Sequence, residues 1–228
     1  MSVIINPRGT SGAGKTELTR RIMAIYGWGR DGHVEPVYRD GRRRPICYRL
    51  RHPLGGRPLA VLGHYEATSG GCDTIGIRDM DEVFRLAGDY ASTGHDVLFE
   101  GLLVSREYRR SAALAASHGL RVLHLSTPLD RCVRNVIARR RARRDIRPLI
   151  SKNTATEHMR VGDACGRLRW YADVQVLSFD EALLRAQELL GLGRIGAAAM
   201  PAPAVERWRG GDRARTRATP GQLGKLSH

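Results

Sequence analysis

Apolar residues along this chain fall into short runs, and the stretches between them carry helical periodicity. Residues 2–6 (SVIIN) read as a short buried strand, followed by helical spacing through Leu18, Ile22, Met23 and Tyr26 that Gly27 ends. Residues 34–51 read as a hairpin in which VEPVY and ICYRL flank Asp40-Gly41, with arginines lengthening the loop. The run from Pro58 to Gly63 is the next strand, leading into the Gly-rich stretch Ser69–Asp73. Asp79 is placed to cap a helix over 80–92 that Gly94 closes. Asp96-Val97-Leu98-Phe99-Glu100-Gly101 is an apolar strand ending on an acid, and residues 105–118 are helical. Leu120–Leu125 is a fourth strand, and Pro128 opens a long helix to about residue 144. A helix over Thr156–Tyr171, a strand over Val174–Leu177 and a helix over Asp180–Leu190 complete the pattern.

Short apolar strands alternating with helices predict an α/β fold, a five-stranded parallel sheet covered by helices on both faces. The hairpin, at about 34–52, is an insertion in it. From residue 194 the composition turns to Ala, Gly, Pro and Arg without apolar periodicity, which predicts one domain over 1–193 and a mobile basic tail over 194–228.

Charge changes the picture. The 228 residues carry a net charge of +15. Residues 39–51 hold six arginines and one aspartate, residues 139–147 the same, and residues 194–228 seven cations against Glu206 and Asp212, so each segment is net +5 and the rest is balanced. Such an excess points to a polyanionic partner, nucleic acid before anionic membrane. No apolar run approaches the ~20 residues that span a bilayer. The start MSVIINPRGT lacks the charged and cleavable regions of a signal peptide. Cys47, Cys72, Cys132 and Cys165 are scattered without a C-x-x-C pair, against a zinc site or disulfide framework and for a reducing cytoplasm.

Candidate chemistry concentrates in Gly9-Thr10-Ser11-Gly12-Ala13-Gly14-Lys15-Thr16, a full match to G-x-x-x-x-G-K-[ST] between a strand and a helix. Backbone N–H groups of such a loop curl around phosphates, Lys15 bridges the β- and γ-phosphates, and the Thr16 hydroxyl ligates Mg²⁺. No guanine-reading N-K-x-D stretch accompanies it, and the short length suits a small kinase using ATP. Such a kinase needs a carboxylate for the acceptor hydroxyl and cations for the transferring group. Glu100, at a strand end, is a candidate for a metal-bound water or for the acceptor, and Asp73 for accepting the acceptor's proton; the bland readings are a strand-end carboxylate and an Asx turn. The Arg139–Arg144 segment reads as a lid over about 139–152, with Arg140 and Arg141 equally placed to meet phosphate and Arg141 read as catalytic. His64 and Tyr65 follow the second parallel strand, where His64 can hydrogen-bond a base and Tyr65 stack on one; a partly buried strand end serves equally. On the hairpin, Arg42, Arg43 and Arg44 with interleaved tyrosines suit a phosphodiester backbone.

The run Asn6–Thr16, Leu62-Gly63-His64-Tyr65-Glu66 with Gly70–Thr74, Leu98–Leu102, Thr127-Pro128-Leu129 and Arg139–Arg143 together resemble a group of phage-encoded P-loop kinases. The likeness covers roughly residues 2–190, and some of that group phosphorylate 5-hydroxymethyluracil within DNA. The resemblance implies a nucleotide-kinase-like P-loop fold, ATP, Mg²⁺ and DNA containing 5-hydroxymethyluracil. It carries phosphate-loop roles to Gly9 through Thr16 and a carboxylate role to Asp73 or Glu100. Two other readings stay open: a kinase of a free nucleotide or small metabolite, and a DNA-binding ATPase without transfer.

Overall fold

The computed structural model describes residues 2–30, 34–67, 70–76 and 79–193. The expected tail over 194–228 lies outside them.

The chain forms β1 (Val3–Arg8), α1 (Lys15–Ile25), β2 (Val34–Val37), β3 (Cys47–Leu50), β4 (Leu59–Leu62), α2 (Asp73–Gly76), α3 (Met80–Ser92) and β5 (Asp96–Phe99). It continues with α4 (Leu102–Ser105), α5 (Arg109–Ser117), β6 (Gly119–Leu125), α6 (Leu129–Arg140), a 3₁₀ turn over Arg144–Ile146, α7 (Arg147–Leu168), β7 (Asp173–Leu177) and α8 (Phe179–Leu189). The sheet has seven strands in the order β2-β3-β4-β5-β1-β6-β7. The pairings among β4, β5, β1, β6 and β7 are all parallel, as the apolar runs predict. The hairpin extends this sheet: β3 pairs antiparallel with β4, and β2 with β3.

Period-2 alternation divides the strands between two cores. Ile4, Ala60, Val97 and Phe99 face α3, α5 and α7 through Phe84, Ala87, Leu114, Val161 and Cys165. Ile5, Val61, Leu98 and Leu123 face α1 and α8 through Leu18, Ile22, Ala182 and Ala186. Every residue of β4 and β5 is buried, hence the apolar runs Leu59–Leu62 and Val97–Phe99, with buried Asp96 accepting from the Val3 N–H. Burying one such leucine or isoleucine is worth ~1.5–3 kcal/mol. No helix among the described residues is long and apolar enough to cross a membrane, and all four cysteines are free and buried.

Three boundaries differ from expectation. The helix expected to reach 144 ends at Arg140, because Arg141 takes a left-handed conformation at φ 48°. The Arg141 N–H donates to Ala138 O, the Ala142 N–H to Ile137 O, and Ala142 packs with Val136 and Ile150. This is a Schellman-type stop with arginine where glycine is usual. The next helix begins at Arg147 rather than Thr156, with Pro148 in its first turn. The helix expected over 105–118 splits into α4 and α5.

The topology brings the site together. Residues following β1, β4, β5 and β6 leave the sheet at the carboxyl ends of parallel strands, where such folds bind ligands. Antiparallel pairing of Cys47 with Leu62 and of Val37 with Cys47 puts the hairpin loop, residues 38–46, at this same edge.

Candidate active site

The loop between β1 and α1 is shaped by two left-handed glycines, Gly12 at φ 82° and Gly14 at φ 105°. A Cβ on Gly12 would lie 2.3 Å from the Cys132 carbonyl oxygen, because α6 packs directly on the loop. Asn135 Nδ2 donates to Gly12 O at 2.8 Å and Thr127 Oγ1 to Ala13 O at 2.8 Å, fixing the same approach.

Lys15 is buried, and its Nζ donates to Gly9 O at 2.7 Å and Thr10 O at 3.1 Å. Burial lowers its pKa, opposed by the negative charges of Glu100 and Asp73. Thr16 Oγ1 donates to Glu100 Oε1 at 3.0 Å. Glu100 is 1% exposed, and burial pushes its carboxyl up to about 7 against the pull of Lys15 and the Thr16 hydroxyl. A Cβ on Gly71, itself left-handed at φ 101°, would sit 2.7 Å from Glu100 O and 2.8 Å from its Oε1. Asp73 accepts from the N–H groups of Leu102 at 2.8 Å and Leu103 at 3.0 Å, capping the first turn of α4. Its Oδ1 would lie 2.3 Å from a Cβ on Gly101, so glycine there allows the approach.

These groups line one cleft of about 300 Å³ with Ser11, Gly12, Gly14, Arg20, Asn135 and Arg139. A larger recess of about 510 Å³ lies at the opposite sheet edge, among Val34, Glu35, Arg49, Arg51, Pro58 and His95. It gathers an ion pair between Glu35 and Arg49 but none of the groups above.

The expected residues separate. Ser11, Gly12, Gly14, Lys15, Thr16, Asp73 and Glu100 converge, whereas Gly9, Thr10, Ala13, Arg140 and Arg141 do not line the cleft. Arg139 does, and its charge acts on both Lys15 and Glu100. Sequence reasoning missed Asn135 and Arg20 and read Arg139 only as the first residue of the lid; the i,i+4 spacing of Asn135 and Arg139 on α6 is the signal, offset from buried Cys132 and Val136. Tyr65 is 1% exposed, with its hydroxyl donating to Leu62 O at 3.1 Å and its ring 6.2 Å from that of Tyr48. Burial therefore corrects its expected stacking on a base. His64 is 2% exposed; Arg44 lies 3.3 Å from its Nε2 and the Thr74 hydroxyl 3.4 Å from its Nδ1, which corrects the expected direct hydrogen bond to a base. The hairpin loop reaches this region, with Arg42 Nη2 donating to Thr74 O at 2.8 Å while Arg43 and Arg44 are exposed.

Arg8 was also missed as a working residue. Its buried guanidinium donates to Asn6 Oδ1 at 2.7 Å, Glu107 O at 2.8 Å, Ser105 O at 3.3 Å and Ser111 Oγ at 2.5 Å. Asn6 Nδ2 in turn donates to Phe99 O at 2.7 Å. One network thus ties the residue before the loop to the residue before Glu100.

Among the described residues no group of three or more His, Cys, Asp or Glu could hold a metal ion. The Thr16–Glu100 pair offers hard oxygens, and Mg²⁺ is usually held by one or two carboxylates together with water and substrate phosphates. That donor set fits Mg²⁺ bound with a nucleotide rather than in an all-protein cage.

No family model matches the chain. A curated protein of Pseudomonas phage PaMx11, "5-hmdU DNA kinase", is 41% identical over 167 residues, covering 72% of this chain and 84% of the relative.

Proposed function

This chain belongs to the 5-hmdU DNA kinase family, and we propose that it is a P-loop kinase transferring the γ-phosphoryl group of ATP to the hydroxymethyl group of 5-hydroxymethyluracil in DNA. The observation that carries the mechanism is the convergence of Lys15, Thr16, Glu100, Asp73 and Arg139 on one cleft.

The N–H groups of Gly9 through Thr16 and the positive end of α1 bind the phosphates. Lys15, now turned back on Gly9 O and Thr10 O, gains a phosphate oxygen as a further acceptor. The Thr16 hydroxyl, donating its hydrogen bond to Glu100, would with that carboxylate hold Mg²⁺, which when bound would neutralise phosphate charge. Asp73, held by two backbone N–H groups, orients the acceptor hydroxyl and takes its proton. Arg139 supplies a fixed positive charge for the transferring oxygens, presented by a helix anchored on the loop through Asn135. The exposed arginines of 140–147 serve as the lid, and Arg42, Arg43 and Arg44 hold the DNA backbone at the same sheet edge. Buried free cysteines suit work in a reducing cytoplasm.

The test supplies γ-labelled ATP with DNA containing 5-hydroxymethyluracil, ordinary DNA, or the free hydroxymethylated nucleotide, using Lys15→Ala as the control. Label on the modified DNA is expected, and none with the control. Label on the free nucleotide alone would replace this reading with that of a small-molecule kinase.

A further inference from the structure

Far along α7 from the cleft, exposed aromatics gather with arginines that the proposed mechanism does not use. Trp170 is 88% exposed and Tyr171 60%. Arg167 sits in the last turn of α7, and Trp170 and Tyr171 follow directly on its end, in a turn closed by the Tyr171 N–H donating to Leu168 O. The Arg167 guanidinium lies over the Tyr108 ring at 5.2 Å, and Arg109 Nε donates to the Tyr108 hydroxyl at 3.4 Å.

The charge here is only partly matched, since Glu107 acts on Arg109 but is itself taken up by Arg110. Neighbouring Arg106 and Arg160 share Glu157, and Arg110 takes Glu107 and Asp81. Arg109 and Arg167 form no ion pair with any described residue and converge on one tyrosine. Two cations held on one tyrosine, three residues of chain from an exposed tryptophan, match a strand that alternates phosphates with stackable bases. A protein partner would have to bring carboxylates to both arginines or leave them desolvated without a counter-charge.

We propose that Tyr108, Arg109, Arg167, Trp170 and Tyr171 form a second nucleic-acid contact, in which a base stacks on Trp170 and the arginines meet flanking phosphates. Thr154 O accepts from Thr10 of the phosphate loop at 3.4 Å, and Arg167 lies thirteen residues further along α7. At 1.5 Å per residue this is about 20 Å, within the reach of a short oligonucleotide that also occupies the cleft. That spacing rests on the proposed DNA substrate; the patch itself does not.

The experiment uses the full chain and labelled single-stranded DNA of ordinary bases, so it is independent of phosphoryl transfer. Binding is measured across a salt series for the parent, Trp170→Ala, Trp170→Phe and the double variant Arg109→Gln/Arg167→Gln. Trp170→Ala should weaken binding about tenfold and remove most of the tryptophan quenching that DNA causes, with Trp170→Phe restoring most of the affinity. The double variant should lower the salt slope by about 1.4. Parent affinity and slope in all variants would overturn the proposal. So would a dimer that Trp170→Ala converts to monomer with DNA affinity unchanged, since the patch would then face a second copy. Loss of binding by these variants in a parent that transfers no phosphate would sink the kinase reading and leave this surface standing. Normal transfer with no effect of the variants on binding would do the reverse.

Discussion

Thr16 donates its hydroxyl proton to Glu100 at 3.0 Å across 84 residues of sequence, joining the first residues of α1 to the end of β5. The carboxylate is almost wholly buried, so it is costly to ionise there without the lysine and hydroxyl beside it.

That cost sets a pH dependence in the nucleotide-free protein. Glu100 rises from an ordinary 4.5 to about 7. Between those values the folded protein keeps a proton that the unfolded chain has released, so stability falls as pH rises through the window and levels off above it. The full span corresponds to roughly 3 kcal/mol. Urea unfolding at about pH 5 and about pH 8 should show this loss in the parent and a flatter profile in Glu100→Gln. Equal slopes in both proteins would refute the assignment.

Asp73 is both a cap and the proposed base, and substitution separates the two. Asp73→Ala should lower stability by about 1 kcal/mol through loss of the α4 cap. Asp73→Asn keeps an acceptor for Leu102 and Leu103 and should retain most of that stability, while transfer falls about 10²-fold or more. A fully active Asp73→Asn would leave the residue only its capping role.

Arg139 and Arg141 are two positions apart and should behave oppositely. Arg139→Gln should cut kcat by about 10²-fold, as removal of one charge-stabilising donor does. Arg141→Gly relieves the left-handed strain and should raise stability by about 1 kcal/mol with kcat nearly unchanged. Kinetics and unfolding midpoints of the two variants decide the matter, and a reversed pattern would return the catalytic charge to Arg141.

Neutralising Arg42, Arg43 and Arg44 to glutamine should weaken duplex binding and reduce its salt slope by about 0.9 for every phosphate the loop no longer neutralises. ATP hydrolysis without DNA should stay at the parent rate. An unchanged slope would remove the hairpin loop from the interface.

Much of this was legible from residue order. Continuous apolar runs announced strands buried on both faces, and Gly9 through Thr16 carried its own strand-and-helix context. Burial of side chains next to those strands was not legible. Tyr65 and His64 read equally as presented groups and as a partly buried strand end, since aromatic and imidazole side chains serve core and surface alike, and the fold decides for burial. The stop at Arg141 was hidden because it uses arginine where glycine would have signalled it. Arg139 was hidden among like charges, and only the packing of α6 on Gly12 distinguishes it from its neighbours.

The hairpin joins the sheet at its outer margin, through the pairing of β3 with β4, while Arg42 of its loop reaches Thr74 O beside Asp73. With the hairpin holding DNA as proposed, such an attachment makes polymer recognition exchangeable. The length and charge of 38–46 can drift over generations without moving the helix start and strand end that carry Lys15 and Glu100, so one phosphorylating engine can be refitted to a new genome by remodelling a single margin of the sheet.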